Sequence, residues 1–510
     1  MPTSLRSTYK KLLARTKDLI VLQAAESIIH WDMETMMPPK AVEQRSLQLA
    51  LLSRIKHKMS TAKETGRLLE SILKHPQYNV LSGIEKRNVH LIKKNYDEQT
   101  ALPENLVEET AKQQAVTVNT WKKAKSTQNY DLLKPELEKL VNLNRKAAEI
   151  LMKVKATATP YDALIDVFEP KMTTTAITAV FNKLQKGLTA ILEKILNVTT
   201  PPDTRMLSIN VPVETQRQIA KTIAAAIGYD TTSSHAAGRI DETEHPFTTG
   251  YYDDVRITTH YYPTNFTSAV FSILHEAGHA FYEQGLPRGW QYQPIGSACS
   301  YGLHESQSRF VENIIGRSSE FWADFLPKLK TANPPLSSLQ LEPFVRAINE
   351  VKPSKIRIEA DEVTYCTHII IRFKIESELF ANKINLNELP AVWNQQYKAL
   401  LGVSITNDSE GVMQDTHWAS GYYGYFPSYA LGNIYSGQML AQIREAIPGW
   451  RDQLAAGNLK DVQNWMTENI HKRGNLYDPE QLLKLTTGKK IDAEPYLLYL
   501  NEKYSALYGF

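Results

Sequence analysis

His275, Glu276 and His279 stand in the order His-Glu-Ala-Gly-His, and that spacing suits one kind of chemistry. On an α-helix, residues four apart differ by about 40° around the axis, so both imidazoles face one side and can reach one ion at about 2.0–2.1 Å. Glu276 projects beside such an ion rather than onto it, where a carboxylate can take a proton from a water that the ion activates. The pattern predicts metal-assisted hydrolysis, with His275 and His279 as ligands and Glu276 as general base. The bland alternative is a solvated helix face with two ordinary histidines.

The helix that must carry these residues is legible. Val270, Ile273, Leu274, Ala277 and Phe281 recur at helical spacing within residues 266–286, Asn265 or Thr267 offers a cap, and Gly285 followed by Pro287 supplies a stop. A third ligand has to come from elsewhere. Glu283 lies roughly 12 Å from His275 along the axis and reads as an exposed helix charge. Residues 285–302 can reverse the chain, after which His304-Glu305-Ser306-Gln307-Ser308-Arg309 opens a second helix running to Gly316. Glu305 and Glu312 both stand open as the third ligand. Glu312 can alternatively accept the free N–H of a ligand histidine.

Further out, a helix-period pattern of charges among Leu, Ile, Val and Ala runs from Leu5 to about Leu196 and predicts a helical layer. The Pro-containing breaks at residues 199–203 and 333–338 are loops, too short to separate domains. Residues 247–262 differ. Gly250 reads as a turn, and Val255 and Ile257 alternate with Asp254, Arg256 and Thr258, predicting a small sheet immediately before the helix.

The 510 residues carry a net charge of +3, with Lys and Arg spread along the chain, which gives no stripe for nucleic acid. Two cysteines, Cys299 and Cys366, exclude a disulfide-dense scaffold and fit a reducing compartment. Met1 to Arg6 runs straight into charged helical sequence, and no apolar run is long enough to span a bilayer, so a soluble, cytoplasmic protein without a membrane partner is expected.

Several patterns accompany the first in a fixed order: His245-Pro246-Phe247, Asp254-Val255-Arg256-Ile257-Thr258, His304-Glu305-Ser306-Gln307, Ile356-Arg357-Ile358-Glu359-Ala360-Asp361 and Gly411-Val412-Met413-Gln414-Asp415-Thr416-His417-Trp418. Together the set resembles the motifs of the carboxypeptidase Taq family of metallocarboxypeptidases, and Trp31-Asp32 with Met37-Pro38-Pro39 resembles its N-terminal signature. The resemblance spans the chain. It implies a mainly α fold like that of neurolysin and angiotensin-converting enzyme: a single large helical body over residues 1–510, with a deep active-site cleft and a small antiparallel sheet. Helices of about residues 1–200 would overhang the cleft, and the zinc and substrate motifs would fall within about residues 245–430.

The resemblance also implies Glu305 as third ligand, one divalent metal per chain (zinc ahead of cobalt or manganese), and a homodimer. Its activity would be removal of single C-terminal residues from peptides with a free C-terminus. Arg357 is the implied clamp for the terminal carboxylate, with Asp361, four residues on in a helix, to orient the guanidinium. By the same resemblance His245, His304 and His417 line the cleft as substrate-binding candidates, while Arg256 on its strand face and Tyr425 in the Gly- and Tyr-rich loop of residues 421–427 are further candidates from their own positions, against a solvated strand face and a plain packed aromatic loop. Three alternatives compete. An aminopeptidase would carry an acidic, Gly-Ala-Met-Glu-Asn type strand where DVRIT stands. A neurolysin-like oligopeptidase would need no carboxylate clamp, and a non-catalytic helical binding protein would have lost chemistry whose residues are all present.

Overall fold

The structure is a computed structural model describing residues 4–198 and 200–510. Met1 to Thr3, at the expected chain start, and Thr199, in the first expected break, lie outside the described residues. The predicted helical layer is present as Leu5–Thr35, Val42–Ser60, Lys63–Leu73, Gly83–Ala101, Glu104–Ser126, Tyr130–Lys155, Pro160–Phe168 and Thr174–Leu196. Apolar residues at helical spacing gather into two cores. Leu5, Tyr9 and Leu12 meet Leu69, Ile72, Val89 and Ile92 in a small one made by the N-terminal helices. A large one runs from Ala124 to Tyr508 and takes in Val255, Ile257, Ile273, Leu274 and Ala277, so the predicted strand and helix are both built into it. Each fully buried Leu or Ile there is worth about 1.5–3 kcal/mol.

Polar ties join the N-terminal helices to the rest. Asn88 Nδ2 donates to Gln293 Oε1 (2.8 Å) and Arg87 pairs with Asp478 (2.8 Å), while Lys94 pairs with Asp166 inside the layer itself (2.8 Å). The Trp31 ring lies under the guanidiniums of Arg256 (4.3 Å) and Arg239 (4.6 Å), and its Nε1 donates to Asp241 (3.2 Å). The N-terminal signature and the DxRxT strand therefore meet each other.

The sheet has three strands, β1 (Gly238–Glu242), β2 (Thr248–Tyr251) and β3 (Asp254–Thr259), in the order β1-β3-β2. It is mixed rather than wholly antiparallel: β2 pairs antiparallel to β3, but β1 pairs parallel to it. The reason is the short link of residues 243–247, which crosses the end of β3 instead of turning β1 back on β2; Thr243 N donates to Thr259 O (2.9 Å) along the way. Gly250 lies within β2, and the turn follows it at Tyr252, whose φ is +55°. Gly250 has φ +118°, and a Cβ there would stand 1.9 Å from Asp254 O, so only glycine closes this hairpin.

Candidate metal centre

The predicted helix spans Phe266–Gly285, with Asn265 at its N-cap position. Its second partner, Tyr301–Arg309, starts earlier than the sequence suggested because Ser300 caps it, the hydroxyl accepting from Leu303 N (3.1 Å). Below that cap sits Glu169, buried, accepting from Ser300 Oγ (3.0 Å), Gly302 N (3.0 Å) and Tyr435 OH (2.8 Å). The two helices touch main chain to side-chain-free main chain. A Cβ on Gly278 would lie 2.6 Å from both Gln307 O and Ser308 Cα. Helix Pro427–Ala446 approaches from the other side, where a Cβ on Gly432 would lie 2.7 Å from both Cβ and Cγ of Glu305, so the bare glycine makes room for the Glu305 side chain.

This packing brings His275, His279 and Glu305 together, with one ligand atom from each inside a 4.8 Å span. Glu305 Oε2 stands 3.8 Å from His275 Nε2 and 3.5 Å from His279 Nε2. A tetrahedral ion with bonds of about 2.0–2.1 Å needs donors about 3.3 Å apart, so the residues fit a divalent ion after a small inward adjustment. The remaining ring nitrogens are engaged. His275 Nδ1 donates to Glu312 Oε2 (2.8 Å) and His279 Nδ1 to the carbonyl of His304 (3.1 Å), which leaves both Nε2 lone pairs for the ion. Glu312 reaches His275 from a π-helical segment, Phe310–Ile315, rather than from a continued α-helix.

Electrostatics favour a charged third ligand. Burial alone would raise the Glu305 pKa, but the Arg309 guanidinium, 2.8 Å from Oε1, and the neighbouring His275 pull it well below the carboxylate range. Glu312 is likewise lowered to about 2 against its burial, chiefly by Arg309. Glu276 goes the other way. Burial lifts its pKa, opposed by His275 and by the Thr248 hydroxyl, which donates to Oε2 at 2.6 Å. Strand β2 thus aims the predicted base.

All four residues line a cavity of about 1050 Å³, whose lining also includes Arg87, Leu91 and Lys94 of Gly83–Ala101. A second cavity of about 880 Å³ adjoins it, sharing Glu283, Ser297, Tyr301 and Asn475.

Over residues 11–504 the sequence matches the family described as Carboxypeptidase Taq (M32) metallopeptidase. The chain belongs to the carboxypeptidase Taq family. It is 38% identical to thermostable carboxypeptidase 1 of Thermus thermophilus over 99% of each chain, and 36% identical to carboxypeptidase 1 of Bacillus subtilis over 95% of each. Its fold is similar to the crystal structure of the M32 carboxypeptidase from Deinococcus radiodurans R1, with a TM-score of 0.94 at 32% identity, covering 99% of this chain and 100% of that one. As a member of the carboxypeptidase Taq family it is a metallocarboxypeptidase, a peptide hydrolase that uses a divalent metal. Among the described residues no helix is long and apolar enough to cross a membrane.

The remaining candidate residues fall on the cavity wall, behind it, or away from it. His304 and Tyr425 are on the wall. His245 is exposed and off it, although Pro246, Phe247 and Thr248 line it. Arg256 faces Trp31 and pairs with Asp254 (2.7 Å). His417 and Arg357 lie behind Tyr429: His417 Nε2 is 3.3 Å from its hydroxyl and the Arg357 guanidinium 5.1 Å from its ring centre.

Asp361 does not orient Arg357. The segment Arg357–Glu359 is a single 3₁₀ turn, so helical i,i+4 contact is unavailable, and Asp361 instead accepts from Lys352 N, Val363 N and Thr364 N. Asp415 takes the role. Its Oδ1 accepts from Arg357 Nε (3.0 Å) and Nη2 (2.8 Å), and its Oδ2 from Arg372 Nε (2.7 Å). Glu283 is not a free surface charge either: it is half-buried against His304 Nε2 (2.9 Å).

Sequence reasoning gave no role to Thr248, Arg309, Asp415 or Glu169. Arg309, four residues after Glu305 on one helix, was findable from spacing; the others act across long sequence separations.

Tyr425 packs edge-on against Phe168 (5.0 Å) and Tyr429 (5.2 Å), and its loop is tied down by Glu376, which accepts from Gly424 N (2.8 Å), Trp418 Nε1 (2.7 Å) and Tyr161 OH (2.7 Å). Burial pushes the Glu376 pKa up to about 7 despite these donors. An unfolded glutamate titrates near about 4.3, so the folded chain keeps a proton that the unfolded chain has lost. Its stabilisation is complete below about pH 4.3 and is lost as pH rises through 7, a difference on the order of 3 kcal/mol. Calorimetry of the wild type against Glu376→Gln from pH 5 to 8 is expected to show the wild type losing stability relative to the variant. A constant difference across that range would remove the protonated Glu376.

Proposed function

We propose that the chain removes single C-terminal residues from peptides, with zinc held by His275, His279 and Glu305 and with Glu276 as general base. The observation that carries this reading is the convergence of the three donor atoms within 4.8 Å on a cavity wall that also holds Glu276. The N₂O donor set fits zinc, and admits cobalt or manganese. A divalent ion held there would supply Lewis acidity to a water and to the scissile carbonyl. Glu276, kept proton-accepting in a buried site and fixed through Oε2 by Thr248, takes the proton of that water and afterwards gives it to the leaving amine. Glu312 and Arg309 hold His275 and Glu305 in position, so little rearrangement accompanies the step.

For the terminal carboxylate we assign Arg357. Two guanidiniums, Arg357 and Arg372, share the single carboxylate of Asp415, which leaves a positive charge without a carboxylate of its own behind Tyr429. Arg357 is 8% exposed, so Tyr429, a cavity residue, has to yield for the substrate to reach it. His304 and Tyr425 on the wall are the nearer substrate contacts; His245, His417 and Arg256 act through the residues they support. Two observations favour a second reading, an oligopeptidase: the adjoining cavity gives room for longer peptides, and the clamp stands off the wall. By family resemblance we further assign a homodimer, one catalytic unit over residues 1–510, and, with both cysteines free, a cytoplasmic setting.

The test is mass spectrometry of two otherwise identical peptides, one with a free C-terminus and one amidated, with metal-loaded enzyme and with a chelator-treated control. Stepwise, chelator-sensitive loss from the free terminus alone is expected. Internal cuts in both peptides would establish the oligopeptidase instead.

A further inference from the structure

His279 differs from His275 in what stands behind it. His275 Nδ1 meets a carboxylate directly, Glu312, whereas His279 Nδ1 faces two acceptors of His304, its carbonyl oxygen at 3.1 Å and its Nδ1 at 2.6 Å. Two facing ring nitrogens at that distance share one hydrogen. If His279 Nε2 is the metal donor, it carries a lone pair, and the hydrogen of His279 is on Nδ1. His304 must then accept through Nδ1, which puts its own hydrogen on Nε2. There Glu283 Oε1 waits at 2.9 Å. With the His279 hydrogen shared between the carbonyl and the Nδ1 of His304, the ring hydrogens run in one consistent direction: a carboxylate, two imidazoles and the metal position.

We propose that Glu283 and His304 are positioning residues for the metal, a two-step carboxylate relay that fixes the tautomer of His279 and raises its donor strength. The proposal deepens the metal-site reading and rests on it. Glu283 cannot reach the ion from its place on the same helix, so it acts through His304, across the turn between the two helices. His304 is held for the task by its neighbours: its ring lies 4.5 Å from that of His279 and 5.4 Å from Tyr282, which in turn stacks on His471. The far end of the relay opens on solvent, because Glu283 is one of the residues shared by the two cavities. A carboxylate partner for a ligand histidine is worth about 10–100-fold in metal affinity when it is removed.

The full-length protein is stripped of metal and its affinity for Zn²⁺ measured by competition with a chromophoric chelator at fixed pH. Glu283→Gln, close to isosteric, is expected to bind Zn²⁺ about 10–100-fold more weakly with the melting temperature of the apo form unchanged. His304→Gln breaks the same relay from the other side and is expected to show a similar loss, to which Glu283→Gln adds nothing in the double variant. Wild-type affinity in both single variants, or losses that add in the double, would overturn the relay. Glu305→Gln separates the two readings: if it binds Zn²⁺ as tightly as wild type, the metal site itself is misassigned, whatever Glu283 does.

Discussion

Glu276→Gln is expected to lower kcat by about 10²–10⁴-fold, the range that a positioned acid–base group supplies, while Zn²⁺ affinity stays within a few-fold of wild type. The substitution is nearly isosteric, and the glutamine oxygen can still accept from Thr248 Oγ1, so neither the helix nor the wall should move. What disappears is the ability to take a proton. Because Glu276 is not among the three converging donors, metal content should be unaffected, and elemental analysis beside steady-state kinetics separates the two effects. A variant that retained near wild-type turnover would end the assignment of Glu276 as base, and the search for another would have to start from the same cavity wall.

Arg357→Ala is expected to cost about 10²–10³-fold in kcat/KM on peptides with a free C-terminus, the equivalent of losing one buried, hydrogen-bonded charge contact of about 2–4 kcal/mol. The fold should survive, because Asp415 keeps Arg372, bonded through Nε at 2.7 Å. The loss should fall on substrates with a carboxylate and be partly restored by added guanidinium, which fills the space and supplies the charge. An equal loss on an amidated peptide would leave Arg357 a structural partner of Asp415 and no more. The two variants therefore report on different halves of the reaction, proton transfer and terminus recognition.

Much of this site was legible because its determinants are local. The HEAGH residues lie on one helix whose apolar spacing, Val270 to Phe281, and Gly-x-Pro stop can be read without a partner. The strand at Val255 and Ile257 is legible for the same reason, since period-two alternation is a property of a few consecutive residues. What failed to emerge depends on contacts between distant segments. The parallel pairing of β1 with β3 is set by a link crossing a strand end. Asp361 looked like a partner for Arg357 only if residues 357–361 were helical, and a 3₁₀ turn there passes the guanidinium to Asp415 instead. Glu283 looked exposed because nothing on its own helix needs it; its partner, His304, arrives only when the chain reverses.

The glycines between the helices bear on how such a centre persists. Gly278 sets its helix against the bare main chain of the helix bearing Glu305, and Gly432 leaves the room that the Cβ and Cγ of Glu305 occupy. The spacing of the donor atoms is thus inherited from peptide geometry, which every sequence shares, and not from the size of particular core residues. A lineage can then replace its interior piecemeal without detuning the metal, provided those two positions stay bare. The Thermus and Deinococcus relatives differ from this chain at roughly two positions in three, and the Deinococcus structure still follows the same path with a TM-score of 0.94. The ion is gauged by backbone, and the core is left free to drift.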